Sequence, residues 1–105
     1  MKIYWKRLKK ITEEITNKKV EIIMNIENSN LRGAIQSNHK IIIYLNMSYN
    51  KSINDIIKTL AHEITHYLLQ DKEHTNEFIM KCDEVEKLIK EKYKGGKNEN
   101  NNRKF

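Results

Sequence analysis

Two histidines and a glutamate lie together in the middle of the chain, at His62, Glu63 and His66, in the order H-E-x-x-H. Residues four apart on an α-helix lie on the same face, so both imidazoles can bind one zinc ion. The glutamate that follows the first histidine can reach a water molecule beside the metal and act as general base. The spacing therefore predicts a hydrolytic zinc site with His62 and His66 as ligands and Glu63 as base.

The helix that must carry these residues has one apolar stripe, whose members recur at i, i+3, i+4 and i+7. They are Ile53, Ile56, Ile57, Leu60, Ala61, Ile64 and Leu68. At about 100° per residue, His62 and His66 point away from the middle of that stripe, so neither is an ordinary core histidine. Ser52 and Asp55 form a capping box, which predicts a helix over 53–69.

A catalytic zinc site usually has three protein ligands and one open position. The candidates for the third ligand are Asp71, Glu73, His74 and Glu77. We expect it to be His74, because the polar segment 70–73 can reverse the chain and return this residue, at the entrance of the next helix, to the metal. Glu73 is the alternative ligand. The remaining histidine, His39, lies in a predicted turn and is expected to be solvated.

The segment 59–69, T-L-A-H-E-I-T-H-Y-L-L, and the segment 73–78, E-H-T-N-E-F, resemble the SprT-like zinc metallopeptidases. Their pattern is T-L-x-H-E-x-x-H, then a third histidine commonly followed by glycine, and later an aromatic residue. The counterparts here are His62, Glu63, His66, His74 and Phe78, and Thr75 stands in place of the glycine. The resemblance implies a zincin-like α+β domain over 1–94, a zinc cofactor and cleavage of a protein or peptide substrate. It also implies DNA or a DNA-bound protein as a further partner.

A second family is similar in other segments. Residues 31–34, L-R-G-A, the strand that ends in Asn46, and the segment 59–63, T-L-A-H-E, resemble the ImmA/IrrE metallopeptidases, which cleave regulatory repressors. The third ligand in that family is typically acidic, for which Glu73 is the candidate. A third interpretation is a non-catalytic module, in which zinc is structural or a basic surface binds nucleic acid.

Composition limits the classes of protein. The 20 Lys and Arg outnumber the 14 Asp and Glu, and this formal charge of +6 can attract nucleic acid or acidic proteins. No nucleic-acid-reading motif stands out. No apolar run exceeds the five residues 41–45, and the first residues contain no stretch long enough for a secretory signal. Cys82 is the one cysteine and is expected to be a small core residue. We therefore expect a cytoplasmic protein without a membrane span.

The remaining elements follow from periodicity and turn residues. A helix is predicted over 2–16, and the last helix should begin near Thr75 and end at Gly95-Gly96. The tail over 95–105 is basic, rich in asparagine and expected to be disordered. Three strands are predicted over 20–26, 31–36 and 40–46. Two successive turns between them predict a three-stranded antiparallel sheet, with the helices on one face.

Two further expectations concern the substrate. An extended peptide can pair with an exposed sheet edge, and the strand over 40–46, which precedes the zinc helix, is the candidate for that edge. A neutral side chain can assist at the peptide carbonyl, and Tyr67 and Tyr44 are the candidates for this role.

Overall fold

The computed structural model describes residues 2–25, 31–70 and 74–102, with side chains described as far as Gly95. Within these residues the chain forms an α+β fold of three helices and three strands, which confirms the predicted class. In chain order the elements are α1 (Trp5–Thr16), β1 (Val20–Asn25), β2 (Gly33–Ser37), β3 (Ile41–Asn46), α2 (Ile53–Leu69) and α3 (Asn76–Asn102).

The sheet is mixed, and the predicted antiparallel meander is wrong. The strand order is β1-β3-β2, with β3 parallel to β1 and antiparallel to β2. The central strand β3 is the most apolar of the three, and Ile41, Ile43 and Leu45 are completely buried. A strand of this composition is stabilised most where both of its edges are paired and one face is covered by helices.

One of the two expected hairpins forms. The N–H of Asn38 donates to the carbonyl of Lys40 at 3.1 Å, and this turn joins β2 to β3. The end of β1 at Asn25 pairs with Asn46, whereas the start of β2 at Gly33 pairs with Leu45 on the opposite side of β3. β1 and β2 therefore lie on opposite sides of β3 and do not form a hairpin with each other.

The core lies between the sheet and the helices. Leu8 and Ile11 of α1, Leu60 and Ile64 of α2, and Ile89 of α3 belong to the same buried cluster as the side chains of β3. This packing holds α2 against both β2 and β3 and places α3 alongside α2. The face of α2 that carries the histidines is thereby turned toward α3.

Helix α2 has the predicted bounds. The Ser52 hydroxyl accepts a hydrogen bond from the N–H of Asp55 at 3.1 Å, as the capping box requires. The Asp55 carboxylate accepts from the N–H of Lys51 at 3.3 Å rather than from Ser52. Gln70, with φ of 54°, ends the helix in the left-handed conformation.

Helix α3 is longer than predicted. It runs to Asn102, so the prediction that it ends at Gly95-Gly96 is wrong. The helical backbone continues into the segment expected to be a disordered tail, of which residues 103–105 lie outside the described part of the chain. Over the residues that the structure describes, no helix combines the length and the apolar content that a bilayer span needs.

Candidate metal centre

Three histidine side chains converge at the start of α3. The Nε2 atoms of His62 and His66 are 3.2 Å apart, and those of His66 and His74 are 3.3 Å apart. One nitrogen from each of the three lies within 4.8 Å of the others, close enough to bind one metal ion. The structure thus brings together the three residues predicted as ligands, and we refer to them as the histidine cluster.

The spacing of the histidine cluster fits a metal better than a hydrogen-bonded network. Metal–nitrogen bonds of 2.0–2.1 Å at tetrahedral angles place two ligand nitrogens about 3.3 Å apart. A ring nitrogen of neutral imidazole carries either one hydrogen or one lone pair. Linear hydrogen bonds therefore cannot join Nε2 of His66 to both His62 and His74. A cation shared by three imidazoles satisfies all three nitrogens.

The position of His74 depends on the start of α3. The Thr75 hydroxyl accepts a hydrogen bond from the N–H of Phe78 at 3.1 Å and so caps this helix. Thr75, which departs from the glycine of the SprT-like pattern, thus has a structural role beside the ligand. Glu77 is exposed and lies outside the histidine cluster. The other acidic candidates, Asp71 and Glu73, lie outside the described residues.

Phe78 packs against all three imidazoles. Its ring centroid lies 4.5 Å from that of His66, 4.8 Å from that of His74 and 5.2 Å from that of His62. The side chain is 2% exposed. A buried aromatic ring in this place restricts the rotation of the histidine rings and excludes water from one side of the cluster.

Glu63 is buried beside the cluster, at 8% exposure. Burial raises the pKa of its carboxyl above the ordinary value of 4.5, and the charge of the neighbouring His66 opposes this rise. A carboxylate with a raised pKa is a better proton acceptor near neutral pH than a solvated one. The surroundings of Glu63 therefore favour the acceptance of a proton near neutral pH.

Burial acts in the opposite direction on His62. It lowers the pKa of the imidazole below the ordinary value of 6.5, and the charges of His66 and His74 lower it further. The neutral imidazole is the form that binds a metal. The surroundings of His62 therefore favour the state in which it can act as a ligand.

A cleft of about 360 Å³ opens beside His62 and Glu63. Its walls come from 31–33, from Lys58, Thr59, His62 and Glu63 of α2, and from Cys82, Asp83 and Glu86 of α3. The other charged members of this wall, Arg32, Lys58, Asp83 and Glu86, were not among the predicted site residues. Lys58 could have been found, since it precedes His62 by four residues and so shares its helix face. Arg32, Asp83 and Glu86 come from other elements, and no spacing in the sequence points to them.

Gly33 sets the distance between β2 and α2. A Cβ atom at this position would lie 2.7 Å from Cγ2 of Thr59 and 2.8 Å from the carbonyl oxygen of Tyr44. It would also lie 3.7 Å from Cγ of Glu63. Only glycine lets the strand approach the helix turn that precedes the base.

A buried polar network connects the same elements. The Thr59 hydroxyl donates to Oδ1 of Asn50 at 2.6 Å, and the Asn50 amide donates to the carbonyls of Asn46 and Arg32 at 2.7 and 2.9 Å. Asn50 is 1% exposed. These bonds tie the end of β3 and the start of β2 to α2, one turn before Glu63.

Other residues singled out in the sequence lie away from the centre. The Tyr44 hydroxyl donates to Gln36, and neither Tyr44 nor Tyr67 lines the cleft. His39 is exposed in the hairpin turn, as predicted. Cys82 is half-buried and packs against the core, as expected, although it also lines the cleft.

Compared with protein-family models, curated proteins and solved structures, the chain matches none. The likeness to SprT-like peptidases is thus carried by the sequence motif around the histidine cluster.

Proposed function

We propose that this protein is a zinc-dependent metallopeptidase of the SprT-like type. The observation that carries the proposal is that His62, His66 and His74 bring one ring nitrogen each within 4.8 Å of the others, close enough to hold one metal ion, beside the buried carboxylate of Glu63. Three imidazole ligands and no fourth protein donor among the described residues are typical of a catalytic zinc site rather than a structural one.

The donor set supports zinc. All three donors are imidazole nitrogens, which suit zinc and other late first-row metals better than magnesium or calcium. Zinc bound by the histidine cluster would supply Lewis-acid activation of water and stabilise negative charge on a peptide carbonyl oxygen.

Glu63 moves the proton in the proposed reaction. Its carboxylate accepts a proton from the water molecule as the water oxygen bonds to the peptide carbonyl carbon. It then donates that proton to the leaving nitrogen as the carbon–nitrogen bond breaks, so the products are a carboxylic acid and an amine. Arg32 and Lys58 place positive charge on the cleft wall, where it favours developing negative charge.

The substrate edge is reassigned from β3 to β2. Strand β3 is central, so the expectation that it offers an exposed edge is wrong. Arg32 and Asn38 form backbone hydrogen bonds with the strand residues of β3 and its flank. In an antiparallel pair every second residue forms such bonds, so the even-numbered residues of 32–38 direct their backbone groups toward β3. The outer edge of β2, with which no described strand pairs, therefore presents the backbone groups of Gly33, Ile35 and Ser37. Because Gly33 also lines the cleft, we propose that an extended peptide pairs here.

The alternative of a repressor-cleaving ImmA/IrrE peptidase requires an acidic third ligand. The approach of Nε2 of His74 to Nε2 of His66 favours the SprT-like ligand set. A DNA-bound protein as substrate stays a prediction from that resemblance.

The test is a pair of isosteric substitutions, with cleavage of an unstructured protein substrate and zinc content measured together. Glu63→Gln should reduce cleavage by at least ~100-fold and leave one zinc per chain. Glu77→Gln, an exposed control on α3, should retain parental cleavage. A chelator should abolish activity, and added zinc should restore it. If the zinc-loaded parent cleaves no substrate, the site is a structural one; if Glu63→Gln cleaves as fast as the parent, the base is wrongly assigned.

A further inference from the structure

An apolar pocket adjoins the histidine cluster, and Glu63 is not part of its lining. Its volume is about 280 Å³, and it is lined by His62, His74, Phe78, Ile79, Cys82 and Asp83. It shares His62, Cys82 and Asp83 with the cleft, so the two adjoin beside the cluster, and we refer to them together as the groove.

The two ends of this groove differ in chemistry. The cleft carries Arg32, Lys58 and Glu86 on its walls, whereas Phe78, Ile79 and Cys82 make most of the apolar pocket non-polar. Phe78 is buried and forms a fixed wall, but Ile79 is 50% exposed. An exposed aliphatic side chain beside a polar centre gains free energy when another apolar group covers it.

We infer that the apolar pocket holds a bulky apolar side chain of a bound peptide, next to the bond that is cleaved. The inference rests on the proposed function, because it takes the groove to hold a peptide. The position follows from His62 and His74, which line both the pocket and the centre. A residue whose side chain enters the pocket thus has its backbone close to the histidine cluster. Ile79 is the specificity-determining residue, and its side chain forms the outer wall.

The test separates binding from cleavage. Two fluorescein-labelled peptides differ only in one central residue, leucine in one and alanine in the other. Their affinities for zinc-loaded Glu63→Gln protein are measured by fluorescence anisotropy, and their cleavage by the parent is measured separately. The leucine peptide should bind at least ~10-fold more tightly, since the pocket covers several additional carbon atoms.

A second substitution in the Glu63→Gln background assigns the preference to the pocket. Ile79→Ser should reduce the ratio of the two affinities to about one. Met80→Ser is the control, because Met80 is the next residue on α3, is 73% exposed and lines neither part of the groove. Circular dichroism of both variants should match that of the parent.

Each outcome of these affinity measurements either supports or overturns the inference. Equal affinity for the two peptides overturns the inference, as does a preference that survives Ile79→Ser. If the leucine peptide binds more tightly, and Ile79→Ser removes this preference, the pocket is supported even where the parent cleaves neither peptide. In that case the pocket binds apolar side chains, while the part of the inference that places it next to a cleaved bond falls with the proposed function.

Discussion

The Nε2 atoms of His62 and His66 lie 3.2 Å apart across one turn of α2. This is close to the distance of about 3.3 Å between two nitrogens of a tetrahedral zinc site. Without a cation, the lone pairs of the two Nε2 atoms repel each other at this separation, unless one of the two rings carries its proton on Nε2. The folded chain therefore holds these two imidazoles close to the geometry that a metal requires, and metal binding should stabilise the fold.

The first prediction concerns the third ligand. His74→Ala should lower zinc affinity by more than about 100-fold, since loss of an outer-shell partner alone typically costs 10–100-fold. Zinc per chain after dialysis, measured by mass spectrometry, and affinity from a chelator competition check this. His39→Ala is the matched control, because His39 is exposed and is not a member of the cluster, and it should keep one zinc per chain. Full zinc occupancy in His74→Ala would move the third ligand to an acidic residue such as Glu73.

Much of the candidate metal centre can be predicted from the sequence immediately around it. The bounds of α2, the capping by Ser52 and the direction of His62 and His66 depend on periodicity and one side-chain hydrogen bond. His74 lies only eight residues after His66, and the polar segment after the helix already predicts its return to the cluster. These features are encoded within about twenty residues, and that is why local patterns predict them.

The sheet order could not be reached in the same way. The period of a strand says which side chains share a face, but it does not say which strands are neighbours. β3 becomes central through long-range burial of Ile41, Ile43 and Leu45. Because β3 is central, the exposed edge beside the cleft belongs to β2, and the proposed position of the substrate peptide moves there. Helix α3 passes Gly95 because a glycine lowers helix propensity without forbidding the helix.

The second prediction concerns the contact at Gly33. Gly33→Ala should lower the free energy of unfolding by about 1–3 kcal/mol, because the new methyl meets the Thr59 side chain and the fixed backbone carbonyl of Tyr44. Gly95→Ala is the control, since nothing lies within 4 Å of its added Cβ. It should raise stability by roughly 0.5–1 kcal/mol through helix propensity. Urea unfolding checks both, and an unchanged midpoint for Gly33→Ala would contradict the close approach.

The third prediction concerns the buried bond from Thr59 to Asn50. Thr59→Val keeps the shape of the side chain but leaves Oδ1 of Asn50 without its donor, at a cost of about 1–3 kcal/mol. Thr59→Ser keeps the hydroxyl and loses one methyl, so its loss should be about 0.8 kcal/mol. Equilibrium unfolding of both variants decides the matter. A larger loss for serine than for valine would mean that packing against Gly33 matters more than the hydrogen bond.

The last prediction concerns the thiol of Cys82. Burial raises its pKa above the ordinary value of 9.0, Asp83 and Glu86 raise it further, and the hydrogen bond with Thr65 opposes them. At pH 8 the native thiol should thus react several-fold more slowly with iodoacetamide than the chain unfolded in guanidinium. A raised pKa favours the neutral thiol in the folded state, so its contribution to stability is complete below pH 9 and is lost as the pH rises through the folded value. The free energy of unfolding should therefore fall more steeply above pH 9 in the parent than in Cys82→Ala. Parallel pH profiles for the two proteins would contradict the shift, because the alanine variant lacks the titrating group.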